Sequence, residues 1–474
     1  MINIKIWKDG KPHSTSINPN ETLHRILVNQ GILLPAPCGG NGTCRKCIVS
    51  TSEGDVLSCQ TYATNDMEIY QPSKDESMAI LDAYESNRSF CFDRSLKTGI
   101  AIDIGTTTIA FELIDYTTGI SVTHSTANSQ RALGADVVTR IKKANEGALL
   151  ELHSCILEDI RLGLEFFADH KIDAICIAGN TTMLHLLQNL SCETLGVFPF
   201  TPVDIKIKKY LFENIPTTLL PGISTFVGAD VAAGMLCCYT PEPSLLIDLG
   251  TNGEMALFSQ EKILVTSTAA GPAFEAGNIS CGVASIPGAI AQIRYLPETN
   301  VFIYETIDNA PPIGICGTGV VGIAAELVKH GLVDETGRLE DPYFDSGVEI
   351  APGITFTQKD MREIQLAKSA LRSGVEILLE MAGYGYNDIA KVYLAGGFGY
   401  RMDLESAVIL GLIPKELEGN VITAGNTSLG GTTHVLTSRQ AEEEILALVA
   451  RAEEINLSAH PRFNDLFMEH MMFE

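Results

Sequence analysis

Four cysteines near the N-terminus stand at a spacing suited to metal chemistry. Cys38, Cys44, Cys47 and Cys59 follow the pattern C-x5-C-x2-C-x11-C, with Gly39, Gly40 and Gly42 inside the first gap. Four thiolates can hold the two irons of a [2Fe–2S] cluster, and the glycines let the backbone curl and turn its N–H groups toward the cluster sulfurs. The competing readings are a zinc knuckle and unligated thiols. Zinc more often joins two paired ligand sets across an intervening element, whereas three of these cysteines crowd into one glycine-rich loop. The pattern favours the iron–sulfur reading.

A second set of residues suits nucleotide chemistry. Ile102-Asp103-Ile104-Gly105-Thr106-Thr107 is echoed by Ile247-Asp248-Leu249-Gly250-Thr251-Asn252. An Asp at the end of an apolar strand, followed by Gly-Thr, gathers a carboxylate, backbone N–H groups and a hydroxyl around one point. The carboxylate can orient Mg²⁺ through water while the turn cradles phosphate oxygens. A single copy reads equally well as a plain strand–turn–strand; two copies favour a Mg-nucleotide. Val392–Gly399 runs from an apolar strand into glycines, so that Gly396, Gly397 and Phe398 offer a wall that adenosine can approach closely. Gly317 and Gly319, just before a helical stretch, offer another.

Three carboxylates are candidates for positioning the attacking water in phosphoryl transfer: Asp136, Asp230 and Glu254. Asp136 and Asp230 each follow a Gly-Ala pair near the start of a helix, so the plainer reading is a charge complementing the helix dipole. Cys237, Cys238, Cys281 and Cys316 lack paired spacing and read as buried thiols. His185 reads as a packed helix residue, and Gly271–Gly277 as a loop at the cleft.

The elements that must position these groups can be traced along the 474 residues. Residues 1–72 read as two strands, a helix after Asn20, the cysteine loop and a closing strand near Met67–Tyr70. Residues 73–98 lack periodicity and read as a linker. Residues 99–474 alternate strands and helices in two similar halves, about 99–243 and 244–474, which predicts an α/β protein of two lobes facing a cleft. Helices are expected at Gly134–Asn145, Leu149–His170, Gly319–His330, Gln358–Met381 and Arg439–Ala452.

Composition narrows the surroundings. With 33 Lys+Arg against 58 Asp+Glu the net charge is −25, which argues against a dedicated nucleic-acid or anionic-membrane binder. No apolar run is long enough for a membrane span, and the N-terminus alternates like a strand, so a cytoplasmic location is expected.

At Cys38–Cys59 the N-terminal unit resembles the plant- and adrenodoxin-type ferredoxins, which implies a β-grasp fold; the gap before Cys59 is short compared with most free ferredoxins. From residue 98 onward the hairpins and glycine walls resemble the acetate and sugar kinase/heat-shock chaperone/actin superfamily. That resemblance implies phosphate loops at Asp103–Thr107 and Asp248–Asn252 and an adenosine site at Gly396–Phe398 with Gly317 and Gly319. Taken with Gly179–Met183 and Gly271–Gly277, the whole chain resembles the reductive activators of corrinoid proteins. The resemblance implies ATP-assisted reduction of a partner's Co(II) corrinoid to Co(I) in a methyltransferase or O-demethylase system, with a low-potential electron donor and a homodimeric state. Family members often carry a further domain where this chain has only residues 73–98. Two other readings remain at this point: an activator of a radical dehydratase or aryl-CoA reductase, and a redox-regulated chaperone-like or actin-like module.

Overall fold

Alternation in Ile2-Asn3-Ile4-Lys5-Ile6-Trp7 places three isoleucines on one face of a strand, and all three are buried. The computed structural model describes residues 2–8, 11–17, 21–29, 48–51, 54–70, 96–116, 121–250, 252–399 and 402–473. Strand β1 (Ile2–Lys8) pairs antiparallel with β2 (Lys11–Ile17), and helix α1 (Leu23–Asn29) lays Leu23, Ile26 and Leu27 into the same core. Strands β3 (Ile48–Thr51), β4 (Gly54–Leu57) and β5 (Met67–Tyr70) complete a sheet of order β2-β1-β5-β3-β4, in which β1 and β5 run parallel. A mixed five-stranded sheet under one helix is the β-grasp arrangement expected for residues 1–72.

The main body begins with a hairpin of β6 (Thr98–Ile104) and β7 (Thr108–Asp115), extended by β8 (Ser121–Ala127). A 3-10 turn (Ser129–Ala132) leads to α2 (Val137–Lys143) and α3 (Leu149–Glu165). On α3, Leu152, Ile156, Ile160 and Gly163 recur at helical spacing and face the core. Then follow β9 (Ala174–Gly179), α4 (Thr181–Leu187), β10 (Lys208–Phe212), β11 (Ile215–Leu219) and α5 (Ala229–Cys238). The near-continuous apolar run of β9 suits a strand covered on both faces. The sheet order is β10-β11-β9-β6-β7-β8.

The plan then repeats. Strands β12 (Ser244–Leu249), β13 (Gly253–Phe258) and β14 (Ile263–Thr268) form a second antiparallel meander. A small sheet of β15 (Ala289–Leu296), β16 (Val301–Thr306) and β17 (Gly314–Ile315) carries α6 (Gly317–Lys329). After α7 (Tyr343–Ser346) and the hairpin of β18 (Val348–Ala351) and β19 (Ile354–Phe356), α8 (Gln358–Ala382) opens on a capping box between Thr357 and Asp360. Next come β20 (Lys391–Ala395), α9 (Gly396–Gly399), α10 (Leu404–Ile409), β21 (Val421–Gly425), α11 (Thr427–Thr437), α12 (Arg439–Arg451), β22 (Ala452–Glu454) and α13 (Phe463–Glu469). This sheet has the order β21-β20-β12-β13-β14-β22. In both sheets a central strand pairs antiparallel with its hairpin partner and parallel with a later strand: β6 with β7 and β9, β12 with β13 and β20.

One helix crosses the boundary that the repeat suggests. Helix α11 comes late in the chain, yet Leu429, Val435 and Leu436 join the core of the first lobe, where α11 packs on α5 and β6. A Cβ on Gly431 would collide with the Ala233 carbonyl, and one on Gly234 would stand 2.9 Å from Thr427 Oγ1. The small residues of both helices are what let the backbones touch.

The N-terminal unit meets the first lobe at His24. Its Nε2 donates to the Ala132 carbonyl (3.3 Å), and its Nδ1 lies 3.4 Å from Ser58 Oγ, the residue before Cys59. Burial lowers the His24 pKa against the opposing pull of the Ala132 carbonyl. A neutral ring, donating through Nε2 and accepting at Nδ1, satisfies both contacts.

Candidate functional site

The first Asp-Gly-Thr turn is tied down from three sides. Gly105 N donates to Thr108 O (2.9 Å), closing the hairpin. Asn128, which caps the 3-10 turn, donates from Nδ2 to Gly105 O (2.8 Å) and from its backbone to Thr107 O (2.9 Å). Asn180, the cap of α4, donates to Thr106 Oγ1 (3.2 Å), and Arg140 donates to Thr106 O (2.6 Å). Asp103, one residue before the end of β6, accepts from Asn426 Nδ2 (3.0 Å) and Ser428 Oγ (2.8 Å) at the start of α11. The late helix therefore grips the first lobe's carboxylate.

The second turn carries a doubled charge. In the β12–β13 ladder Asp248 stands directly opposite Glu254, whereas the residue opposite Asp103 is Ala110. Directly opposed carboxylates repel, so this pair calls for protons or a cation. Asp230, at the start of α5, joins them. Burial pushes the Asp230 carboxyl up to about 7, with nearby Asp103 adding to the shift. Burial also takes Asp248 to about 7, helped by Asp230, Asp103 and Glu275. Glu254 is driven well above its ordinary range by burial and then by Asp230 and Asp248. Asp103 is raised by burial despite its two hydrogen bonds. Glu275 ends a 3-10 turn (Pro272–Glu275) within residues 271–277, and its charge acts on Asp248 through space.

Of the three candidate catalytic carboxylates, Asp230 and Glu254 enter this group and Asp136 does not. Asp136 caps α2, accepting from Thr139 N (2.7 Å) and Thr139 Oγ1 (3.1 Å), and it is not among the charges acting on Asp230, Asp248 or Glu254. Gly396 follows β20 with φ +85, and a Cβ there would lie 2.6 Å from Asp248 Oδ1. It backs the second turn, while Gly397 is exposed beside it. Gly317 begins α6, and Gly319 is where that helix presses on the Ile290 carbonyl. Gly250 N donates to Asn252 O (3.1 Å). Thr251 and the Phe398 side chain lie outside the described residues. His185 is buried, donating from Nδ1 to Thr181 O (2.7 Å) and accepting from Val203 N (2.9 Å) at Nε2.

The donor chemistry fits two groups. Carboxylates with raised pKa around two hydroxyl-bearing turns suit Mg²⁺ with a nucleotide. Among the described residues no three His, Cys, Asp or Glu stand close enough to hold a metal directly. Cys59 is buried in the N-terminal core, where Gln60 Nε2 lies 3.7 Å from its Sγ; Cys38, Cys44 and Cys47 lie outside the described residues.

The sequence reading did not reach Asn128, Arg140, Asn426 or Ser428. The available signal was helix capping: Asn128-Ser129 and Asn426-Thr427-Ser428 each open a helical turn, and Arg140 lies one turn past the Asp136 cap.

Comparison with known proteins gives the family of each part of the chain. Residues 6–72 match the 2Fe-2S iron–sulfur cluster binding domain, residues 98–240 the RACo middle region, and residues 242–474 the C-terminal ASKHA domain of RACo. The chain is 29% identical to the corrinoid activation enzyme RamQ of Eubacterium limosum, covering 94% of this chain and 95% of the relative. It is 28% identical to the [Co(II) methylated amine-specific corrinoid protein] reductase of Methanosarcina barkeri, covering 78% and 76%. A solved structure, a reductive activator for corrinoid, iron–sulfur protein, superposes over 100% of this chain and 98% of its own with a TM-score of 0.71 at 24% identity. The matched domains and the fold define an iron–sulfur module joined to an actin-type ATPase. Within that class, the chain belongs to the reductive activators of corrinoid proteins. Among the described residues no helix is long and apolar enough to cross a membrane.

Proposed function

We propose that this protein uses ATP to deliver one electron to the Co(II) corrinoid of a partner protein in a methyltransferase or O-demethylase system, giving Co(I). A cytoplasmic setting, a low-potential electron donor and a homodimeric state belong to the same reading. It is carried by the presence, in one chain, of a four-cysteine ferredoxin unit and a cleft of mutually raised carboxylates at two Asp-Gly-Thr turns. Neither part accounts for the other: a carrier alone equilibrates only with acceptors near its own potential, and each ~59 mV of one-electron deficit requires about 1.4 kcal/mol from elsewhere.

Cys38, Cys44, Cys47 and Cys59 would hold the [2Fe–2S] cluster, which when bound supplies one-electron storage. Asp103 and Asp248 would hold the water shell of Mg²⁺, which when bound neutralises phosphate charge. Thr106, Thr107, Thr251 and Asn252 would line the phosphates, and Gly396, Gly397, Phe398, Gly317 and Gly319 would flank the nucleoside. Asp230 and its neighbour Glu254, both held above the ordinary carboxylate range by burial, would be the proton acceptors for the attacking water. Hydrolysis then separates two cleft states with different affinity for the partner, as any coupled change requires.

The test mixes the holoprotein, a chemical reductant and a Co(II) methyltransferase corrinoid protein and follows absorbance. Co(I) should accumulate with MgATP and far less without it. Equal accumulation in both, across several corrinoid partners, would reject the coupling.

A further inference from the structure

Among the described residues Arg140 is the largest side chain that is fully buried, and none of the chemistry above uses it. Among the described residues its four hydrogen bonds all go to neutral acceptors: Nε to Gly134 O (2.8 Å), Nη1 to Gln130 Oε1 (3.1 Å) and Met183 Sδ (3.1 Å), and Nη2 to Thr106 O (2.6 Å). Asp136 and Asp159 act on it only through space. Each of those carboxylates is engaged elsewhere, Asp136 with Thr139 and Asp159 with the Ser129 amide. Burial lowers the Arg140 pKa to about 10, so the cation persists at neutral pH. A buried charge with no counter-ion in hydrogen-bond contact is expensive, and this one lies directly behind the first Asp-Gly-Thr turn.

The hydrogen bonds also fix which way that turn faces. Arg140 holds the Thr106 carbonyl and Asn128 holds the Gly105 carbonyl. In a planar trans peptide the C=O and the following N–H point in opposite directions. Drawing these two carbonyls inward therefore turns the Thr106 and Thr107 N–H groups away from Asn128 and Arg140. Successive amides aimed at one point form an anion cradle, and the guanidinium lies behind it.

We infer that Arg140 is a positioning residue for the phosphates of the nucleotide, setting the direction of the Thr107 amide and supplying the buried counter-charge behind the turn. The inference deepens the ATP reading above and rests on it.

The experiment titrates the full-length, cluster-loaded protein with MgATP, MgADP and adenosine by calorimetry, comparing the parent with Arg140→Met and Arg140→Lys. Arg140→Met should weaken MgATP binding about tenfold or more, the scale of a lost charge-assisted hydrogen bond. The loss should shrink from ATP to ADP and vanish for adenosine. Arg140→Lys keeps the charge without the fork, so it should fall between parent and Met variant. Melting curves and the visible cluster spectrum report folding; if Arg140→Met does not fold, the Lys variant alone decides, by a raised or unchanged KM for ATP. Equal weakening for all three ligands, or MgATP binding like the parent's, overturns the positioning role. A parent protein that binds no nucleotide overturns the ATP reading instead.

Discussion

Asp248 and Glu254, opposed across one ladder with Asp230 acting on both, form a buried group whose charge depends on pH. The sign follows from their raised pKa values. A carboxyl at about 7 in the fold, against about 4 in the unfolded chain, stabilises the fold below the lower value and loses that contribution as pH rises toward 7. The metal-free protein should therefore melt at a lower temperature at pH 8 than at pH 6, and Mg²⁺ with ATP should restore most of the difference at pH 8. Asp248→Asn should flatten the pH dependence; a melting temperature indifferent to both pH and Mg²⁺ would contradict the arrangement. Much of this was legible in the sequence, because Asp103 and Asp248 share a repeated local motif. Asn426 and Ser428 were not, since their role depends on reaching Asp103 from the far end of the chain.

At the scale of elements, the first two strands of each meander and the long amphipathic helices α3 and α8 could be read from the repeated motif and from periodicity, whereas the third strands, β8 and β14, were not. Helix α11 could not. Its sequence, Thr427-Ser428-Leu429-Gly430-Gly431-Thr432-Thr433-His434-Val435-Leu436-Thr437, is poor in helix formers, and tertiary packing overrides that preference. Close contact with α5 selects small residues there, and this reverses an ordinary rule. Glycine to alanine inside a helix normally stabilises by about 1 kcal/mol. Gly431→Ala should instead destabilise by roughly 1–3 kcal/mol, because the new methyl meets the Ala233 carbonyl. Urea unfolding reads the sign. The same variant should lower ATPase activity, since α11 carries Asn426 and Ser428 onto Asp103. A gain in stability would mean that the two helices are not in backbone contact.

For the molecule as a whole, the duplication was legible from two copies of one motif, but the return of α11 into the first core was not, because helix packing leaves no local mark. Nor could the sequence reveal how the N-terminal unit meets the rest of the chain. His24 bridges Ser58, next to Cys59, and Ala132. Ala132 ends the 3-10 turn whose cap, Asn128, holds the first Asp-Gly-Thr turn. A contact shared in this way has a thermodynamic consequence. If nucleotide occupancy shifts the midpoint potential of the cluster, the oxidation state of the cluster must shift nucleotide affinity by the same factor, a tenfold change in Kd for every ~59 mV. Redox titration with and without MgATP, and MgATP titration of oxidised and reduced protein, should give equal coupling, and His24→Ala should reduce both together. Coupling that survives intact in that variant would route the communication elsewhere. If it vanishes, the bridge makes each half of the chain a gauge of the other's state: the protein could sense that it is charged with an electron before it commits ATP.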